Sequence, residues 1–152
     1  MNADLPAVKI YTDGACEPNP GAGGWAALLI FSDHAPTGWA QEQSLTGSDR
    51  HTTNNRMELT AAIRALSALP QPMRVTLYTD SQYLQRGICE WLPNWLKKNW
   101  RGSSGKVANR DLWQELIDAA SRHQVTWRWV RGHAGDRNNT RVDRLANRAI
   151  PR

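Results

Sequence analysis

Only two cysteines, Cys16 and Cys89, occur in the 152 residues, and neither belongs to a Cys-x-x-Cys pair. Their scarcity argues against a disulfide framework and a thiolate zinc cluster. Both are expected to be reduced, partly buried thiols. Apolar runs are short, and none approaches the roughly 20 residues that a bilayer demands. The opening residues lack the basic-then-apolar pattern of a secretion signal, so a cytoplasmic protein is expected. A phosphate-cradling Gly-x-x-x-x-Gly-Lys run is also missing, which leaves a nucleotide-hydrolysing ATPase without support. No internal repeat and no second composition regime interrupt the chain, so residues 1–152 read as a single domain, long enough for a real core.

What the chain does have is positive charge, a net of +5, and it is clustered. Between Arg86 and Arg110 stand Arg86, Lys97, Lys98, Arg101, Lys106 and Arg110, against Glu90 alone. From Arg122 onward, Arg122, Arg128, Arg131, Arg137, Arg141, Arg144, Arg148 and Arg152 face only Asp136 and Asp143. Clustered cations favour a polyanionic partner through counterion release, although a solvated basic face looks the same in sequence.

Hydrophobic periodicity gives the element order. Val8–Asp13 alternates as a strand, with Gly14 expected to stop it, and Glu17–Gly24 reads as a turn-rich loop. Trp25–Phe31 and, more weakly, Trp39–Leu45 continue as strands, and short connections suit an antiparallel meander. Leu59, Ala62, Ile63, Leu66 and Leu69 then recur at helical spacing. Asn55 is the expected N-cap, with Glu58 three residues on, and Pro70 is the stop. Val75–Thr79 is a strand; Asp80 and Ser81 cap a helix through Leu84 and Ile88. A basic, tryptophan-rich segment spans Trp91–Arg101, and a flexible loop spans Gly102–Gly105. Leu112, Leu116, Ile117 and Ala120 mark a further helix. Val125–Val130 is the last strand, Gly132–Asn139 a polar loop, and a short helix closes the chain. Helical crossovers make the first, fourth and fifth strands parallel, in a mixed α/β sheet flanked by helices. Trp113, Trp127 and Trp129 read mainly as core.

Four acids stand at the ends of these elements. Asp13 and Asp80 end parallel strands, at the edge where α/β folds place their sites. Glu58 and Asp143 are expected in the first turns of the long helix and the last helix. Each has an ordinary reading: a turn residue for Asp13, caps or capping-box acids for the other three. Together they would repel one another unless cations sat among them. Oxygen ligands without a Cys or His cluster favour Mg²⁺ or Mn²⁺ over zinc, and two such ions about 4 Å apart suit phosphodiester cleavage.

Tyr11-Thr12-Asp13-Gly14-Ala15-Cys16, Asn19-Pro20-Gly21, Thr53-Asn54-Asn55-Arg56-Met57-Glu58-Leu59, Thr79-Asp80-Ser81-Gln82-Tyr83 and Gly132-His133-Ala134-Gly135, with Asn139 and Asp143, occur in this order. Together they resemble bacterial members of the type 1 ribonuclease H family, from about Val8 to Ala149. The resemblance implies a ribonuclease H-like fold with a five-stranded mixed sheet in the order 3-2-1-4-5. It implies an endonuclease that cuts the RNA strand of RNA–DNA hybrids with two Mg²⁺ ions, which Mn²⁺ can replace, leaving 5′-phosphate and 3′-hydroxyl ends. Asp13, Glu58, Asp80 and Asp143 would hold the ions. Asp13 would bridge them, Asp143 would serve the ion that activates water, and Glu58 and Asp80 would serve the leaving-group side. Glu58 would also sense a ribose 2′-OH, and His133 would assist proton transfer or product release.

The same resemblance assigns substrate contacts. Asn19, Asn54 and Gln82 match positions that read the minor groove, and Asn139 joins the substrate contacts. Thr53 and Asn109 match a pocket for a DNA-strand phosphate. Trp91, Trp95 and Trp100, interleaved with Lys97, Lys98 and Arg101, resemble a basic protrusion that grips the DNA strand. Flat rings there would pack on deoxyriboses and lysines would neutralise phosphates. For Trp91 and Trp95, four apart on one helical face, a core role is the alternative. The hybrid is the expected partner, with no membrane, no obligatory protein partner and a monomeric state.

Two positions depart from the family pattern. Thr140 follows Asn139 where a Glu is usual, and Arg144 follows Asp143 where an acid is common. An arginine beside a metal carboxylate is expected to weaken ion binding or alter its pH dependence. The chain ends at Arg152, without the C-terminal extension of longer relatives, and the Gly102–Gly105 loop has fewer lysines than some, pointing to modest stability and affinity. Three other readings compete. A non-catalytic hybrid-binding module would not need four crowded acids. A resolvase or integrase core would lack the Asn-Asn-Arg-Met-Glu, Asp-Ser-Gln-Tyr and tryptophan-rich segments. A reverse-transcriptase fragment fits poorly with Met1 placed just before the first strand.

Overall fold

A computed structural model describes residues 5–102, 105–131 and 136–152. Strands β1 (Ala7–Cys16), β2 (Gly21–Phe31) and β3 (Glu42–Thr52) form the antiparallel meander, with Ile10 opposite Leu29 and Ala27 opposite Leu45. Strands β4 (Arg74–Thr79) and β7 (Gln124–Trp129) join in parallel, giving the sheet order β3-β2-β1-β4-β7. This is the expected 3-2-1-4-5 arrangement. Between the last two strands the two-residue strands β5 (Arg101–Gly102) and β6 (Gly105–Lys106) pair as a small ribbon around the expected loop.

Alternation along β1 and β2 divides the core. Val8, Ile10, Ala27, Leu29 and Phe31 face helix α1 (Asn54–Ala68) and helix α4 (Arg110–Ser121), where Leu59, Leu66, Trp113 and Leu116 complete the larger core. Tyr11, Ala26 and Leu28 face the other way, onto Val142, Ala146 and Ile150 of helix α5 (Arg137–Ala149) and its end. The period of two in a strand is the cause: neighbouring residues must serve opposite layers.

Several boundaries move. β1 runs through Gly14 to Cys16, because its ladder with β2 continues to the Cys16–Gly23 pair. The loop after it shortens, since β2 already begins at Gly21. β3 starts beyond Trp39, whose ring instead packs edge-on against Phe31 at 5.7 Å. Thr53, not Asn55, caps α1: its Oγ1 accepts from the Arg56 amide at 3.2 Å. Glu58 therefore lies past the first turn and is no capping acid. Ser81 alone caps α2 (Gln82–Arg86), accepting from the Leu84 amide. Asp136 caps α5 through the Asn138 and Asn139 amides, which puts Asp143 in the second turn, so it is no capping acid either.

α2 passes through a π turn, Gly87–Trp91, into α3 (Leu92–Lys97). Pro93, early in α3, has no N–H to continue the ordinary ladder, and the Leu92 amide reaches back to the Gly87 carbonyl instead. The thiols also differ from expectation: Cys16 is half-buried, but Cys89 is exposed. No helix among the described residues is long and apolar enough to cross a membrane.

Candidate metal centre and nucleic-acid interface

The register of β1 and β4 builds the centre. Tyr11 lies beside Tyr78 and Thr12 beside Thr79, so the next step sets Asp13 beside Asp80 at the C-terminal edge. Two residues earlier on the same face, the Tyr11 and Tyr78 rings stack at 4.5 Å and 9°. Glu58 arrives from α1, which lies against β1 at Gly14. A Cβ on Gly14 would stand 2.5 Å from the Glu58 amide nitrogen, so only glycine admits the helix this close.

Carboxylate oxygens of Asp13, Glu58 and Asp80 lie within 4.8 Å of one another. Asp13 is 4% exposed and Glu58 5%, and Oε1 of Glu58 has no hydrogen-bond partner. Burial, then the charges of Asp80 and Asp143, hold the Asp13 carboxyl well above the usual carboxylate range. Burial likewise raises Glu58, with Asp13 and Asp80 adding to it. Asp143 lies outside the group of three but near enough to act on Asp13. Its carboxylate accepts from Asn147 Nδ2 at 3.4 Å, a nitrogen that also holds the Asp143 carbonyl at 2.9 Å. A buried acceptor without a donor, among carboxyls that resist ionising, fits a divalent cation bound by oxygen ligands. The donor set therefore suits Mg²⁺ or Mn²⁺.

Arg144 turns away from the carboxylates. One residue is about 100° of helix, and that step carries it from the Asp143 side to a groove beside β3, lined by Glu42, Ser44, Arg141 and Arg148. His133 lies outside the described residues.

Other expected contacts are distributed around this edge. Asn19 Oδ1 accepts from the Asn54 amide at 3.1 Å, joining the loop after β1 to the start of α1. Gln82 is exposed at the first turn of α2. Asn139 is buried, and its Nδ2 donates to Asp80 Oδ2 at 3.5 Å, so it touches a metal-site carboxylate. Thr53 borders a cavity of about 420 Å³ with Gly21, His51 and Arg56. Asn109 adopts a left-handed conformation (φ 61°) that asparagine tolerates. Its side chain accepts from Arg56 Nη1 at 3.2 Å and donates to the Tyr83 hydroxyl at 3.1 Å instead of capping α4.

The tryptophan segment forms an aromatic ladder. Trp91 packs on Tyr83 (5.6 Å) and Trp95 (5.9 Å), and Trp95 on Trp100 (6.1 Å) and Trp113 (5.5 Å). Trp91 and Trp95 are half-buried, so each has a core side and an open side, while Lys97, Lys98 and Arg101 are exposed. Trp100 is only 8% exposed, with Arg110 over its ring at 5.5 Å, so it sits beneath the surface rather than on it. Trp113 is core and Trp127 packs against it, but Trp129 is 37% exposed, contrary to its core assignment. Its Nε1 donates to the Asp80 carbonyl at 3.2 Å.

Three contributors were not singled out from sequence. Arg56 forms a two-point ion pair with Asp111 (3.1 and 2.8 Å) while reaching Asn109. The Tyr83 hydroxyl accepts from both Asn109 and Trp113 Nε1. Asn147 steadies Asp143. Arg56 and Tyr83 sit inside the recognised motifs, whereas Asn147 has no signal except its helical spacing from Asp143.

The family model described as RNase H matches residues 6–151. A "Ribonuclease H" of Halorhodospira halophila is 56% identical over 99% of this chain and 97% of its own length. One of Granulibacter bethesdensis is 53% identical over 98% and 95%. Among solved structures, LC9-RNase H1, a type 1 RNase H with the type 2 active-site motif, superposes with a TM-score of 0.87 at 34% identity, over 99% of this chain and 74% of that one.

Proposed function

Because the chain belongs to the ribonuclease H family, we propose that it is a hydrolase that cuts the RNA strand of RNA–DNA hybrids internally, leaving 5′-phosphate and 3′-hydroxyl ends. The observation that carries this reading is the set of Asp13, Glu58 and Asp80 oxygens within 4.8 Å, two of the three acids buried. Such crowding is costly without cations and serves no packing purpose that apolar residues would not serve better.

Asp13, Glu58 and Asp80, with Asp143 alongside, would hold two Mg²⁺ ions, and Mn²⁺ could replace them. Asp13, on which both Asp80 and Asp143 act, would be a ligand at the heart of that centre. Glu58 and Asp80 would serve the leaving-group side and Asp143 the water side. When bound, the ions supply Lewis acidity toward the scissile phosphate and ease deprotonation of water. Asn139 orients Asp80 through its side chain, and the Trp129 indole fixes the Asp80 carbonyl. Glu58 also senses the 2′-OH, the group that separates RNA from DNA. His133 moves the proton or aids product release.

Substrate choice rests on surfaces flanking the acids. Asn19, Asn54 and Gln82 meet the minor groove near the cut, and buried Asn139 acts from beneath it through Asp80. Thr53, Asn109 and Arg56 receive a DNA-strand phosphate, with the Arg56–Asp111 pair holding the guanidinium in place. The open sides of Trp91 and Trp95 pack on deoxyriboses, Trp100 supports them from below, and Lys97, Lys98 and Arg101 neutralise phosphates. The protein acts as a single-domain cytoplasmic monomer, a setting compatible with its two free thiols.

The test is cleavage of a 5′-labelled RNA–DNA hybrid with Mg²⁺, with EDTA and with the Asp13→Asn variant, beside single-stranded RNA and RNA–RNA duplex. RNA-strand cuts in the hybrid alone, abolished by EDTA and by the substitution, are expected. Tight hybrid binding without cleavage in either Mg²⁺ or Mn²⁺ would instead mark a non-catalytic binding module.

A further inference from the structure

Helix α5 carries Arg137, Arg141, Arg144 and Arg148 at spacings of four, three and four. At 3.6 residues per turn they fall within about 60° of one helical face and extend about 16 Å along it. Val142 and Ala146 face the sheet, and Asp143 and Asn139 lie on the flank toward the metal centre. The arginine stripe therefore lies on the outer face of the helix, turned away from Val142 and Ala146, and Arg141, Arg144 and Arg148 reach over its edge toward strand β3.

There it borders a groove of about 300 Å³ lined by Leu28, Glu42, Ser44, Leu145 and three of the arginines, Arg141, Arg144 and Arg148. Glu42 is the single acid in that lining, and it is engaged by Arg141 in a two-point pair at 2.8 and 3.1 Å. That pair holds Arg141 over the groove floor. Arg137, Arg144 and Arg148 are exposed, and no ion pair engages them among the described residues. Ser44 and Thr46, on the same exposed face of β3, add hydroxyl donors. Guanidinium forks and hydroxyls along a concave strip match the phosphates of a nucleic-acid backbone. At 3.4 Å per step, 16 Å corresponds to roughly five nucleotides of one duplex strand.

We propose that the α5–β3 groove is a second nucleic-acid backbone site, separate from the catalytic groove, that holds duplex beyond the segment being cut. The site rests on the hybrid-cleaving reading for its role but not for its existence: it binds phosphates of any duplex. In effect the folded domain carries its own auxiliary anchor, built from residues that the catalytic edge does not use.

The experiment compares wild type with Arg144→Glu/Arg148→Glu. A second variant, Arg144→Gln/Arg148→Gln, removes charge without reversing it. A control, Arg74→Glu/Arg122→Glu, makes the same net charge change at the opposite end of the sheet, where those side chains bond the Leu5 and Leu69 carbonyls. Binding of a fluorescent 36-base-pair DNA duplex and a hybrid of equal length is followed by anisotropy in EDTA across a salt series. Cleavage of a 10-base-pair hybrid in Mg²⁺ is measured alongside. Loss of two phosphate contacts should weaken both long probes by about tenfold or more at 0.1 M salt. It should flatten the log–log salt slope by about two. The glutamine pair should show a smaller loss in the same direction, and the control pair should lose less than either. Short-hybrid turnover should stay within about twofold of wild type. Unchanged affinity and slope in the glutamate pair, or an equal loss in the control pair, overturns the proposal. Failure of wild type to cut the short hybrid would sink the catalytic reading and leave the binding comparison intact.

Discussion

Replacing Glu58 with glutamine should abolish cleavage yet stabilise the metal-free protein. Carboxylate oxygens of Asp13, Glu58 and Asp80 lie within 4.8 Å of one another. At that separation, and at an effective dielectric of about 20, each ionised pair repels by roughly 3.5 kcal/mol. Protonation limits the cost, because burial and mutual repulsion push Asp13 and Glu58 to hold their protons. The folded state then binds more protons than the unfolded chain above about pH 4.5. Stability of the metal-free protein therefore falls as pH rises through neutrality. Glu58→Gln removes one member and places an amide donor among acceptors, a gain of about 2 kcal/mol at pH 7 in EDTA. For a domain of this size that raises Tm by roughly 4–8 °C and flattens the pH dependence. Saturating Mg²⁺ should reverse the order, since ligand at a hundredfold its Kd adds about 2.7 kcal/mol to wild type and far less to a site missing a ligand. Thermal melts of both proteins, with EDTA and with Mg²⁺, provide the assay. A variant that melts at or below wild type in EDTA, or that keeps the full Mg²⁺ shift, would refute the electrostatic account of this centre.

Gly14→Ala should be destabilising by at least about 2 kcal/mol and nearly inactive. Its methyl would meet α1 backbone 2.5 Å away at the residue that carries Glu58, so helix and strand must part; urea unfolding and hybrid cleavage test both effects. His123 is buried between the Met73 amide, which donates to Nδ1 at 3.1 Å, and the Leu66 carbonyl at 3.0 Å. Burial chiefly lowers its proton affinity in the fold. The unfolded chain thus binds the proton more readily, and stability present above about pH 6.5 is lost as pH falls below it. His123→Gln should remove that portion of the acid-side slope in chemical denaturation, whereas an unchanged slope would place it elsewhere.

By itself the sequence determined the element types, because alternation in Val8–Asp13 and the helical spacing of Leu59, Ile63 and Leu66 reflect which faces can be buried. It also contained the four acids, recognisable through motifs whose residues are close along the chain. Boundaries were less legible. Gly14 reads as a strand stop in isolation, yet pairing with β2 carries β1 to Cys16. Asn55 looks like a cap, yet Thr53 has the extended backbone that lets its hydroxyl reach the Arg56 amide. Asp13 and Asp80 are 67 positions apart in the chain, and only the parallel register of β1 with β4 makes them neighbours. Trp129 emerges as a partner of Asp80 for the same reason: a hydrogen bond between elements depends on how those elements pack. The sequence also shows Arg144 beside Asp143, but adjacency on a helix means about 100° of rotation. Only the docking of α5 on the sheet decides that the acid turns toward the metal centre and the arginine toward β3.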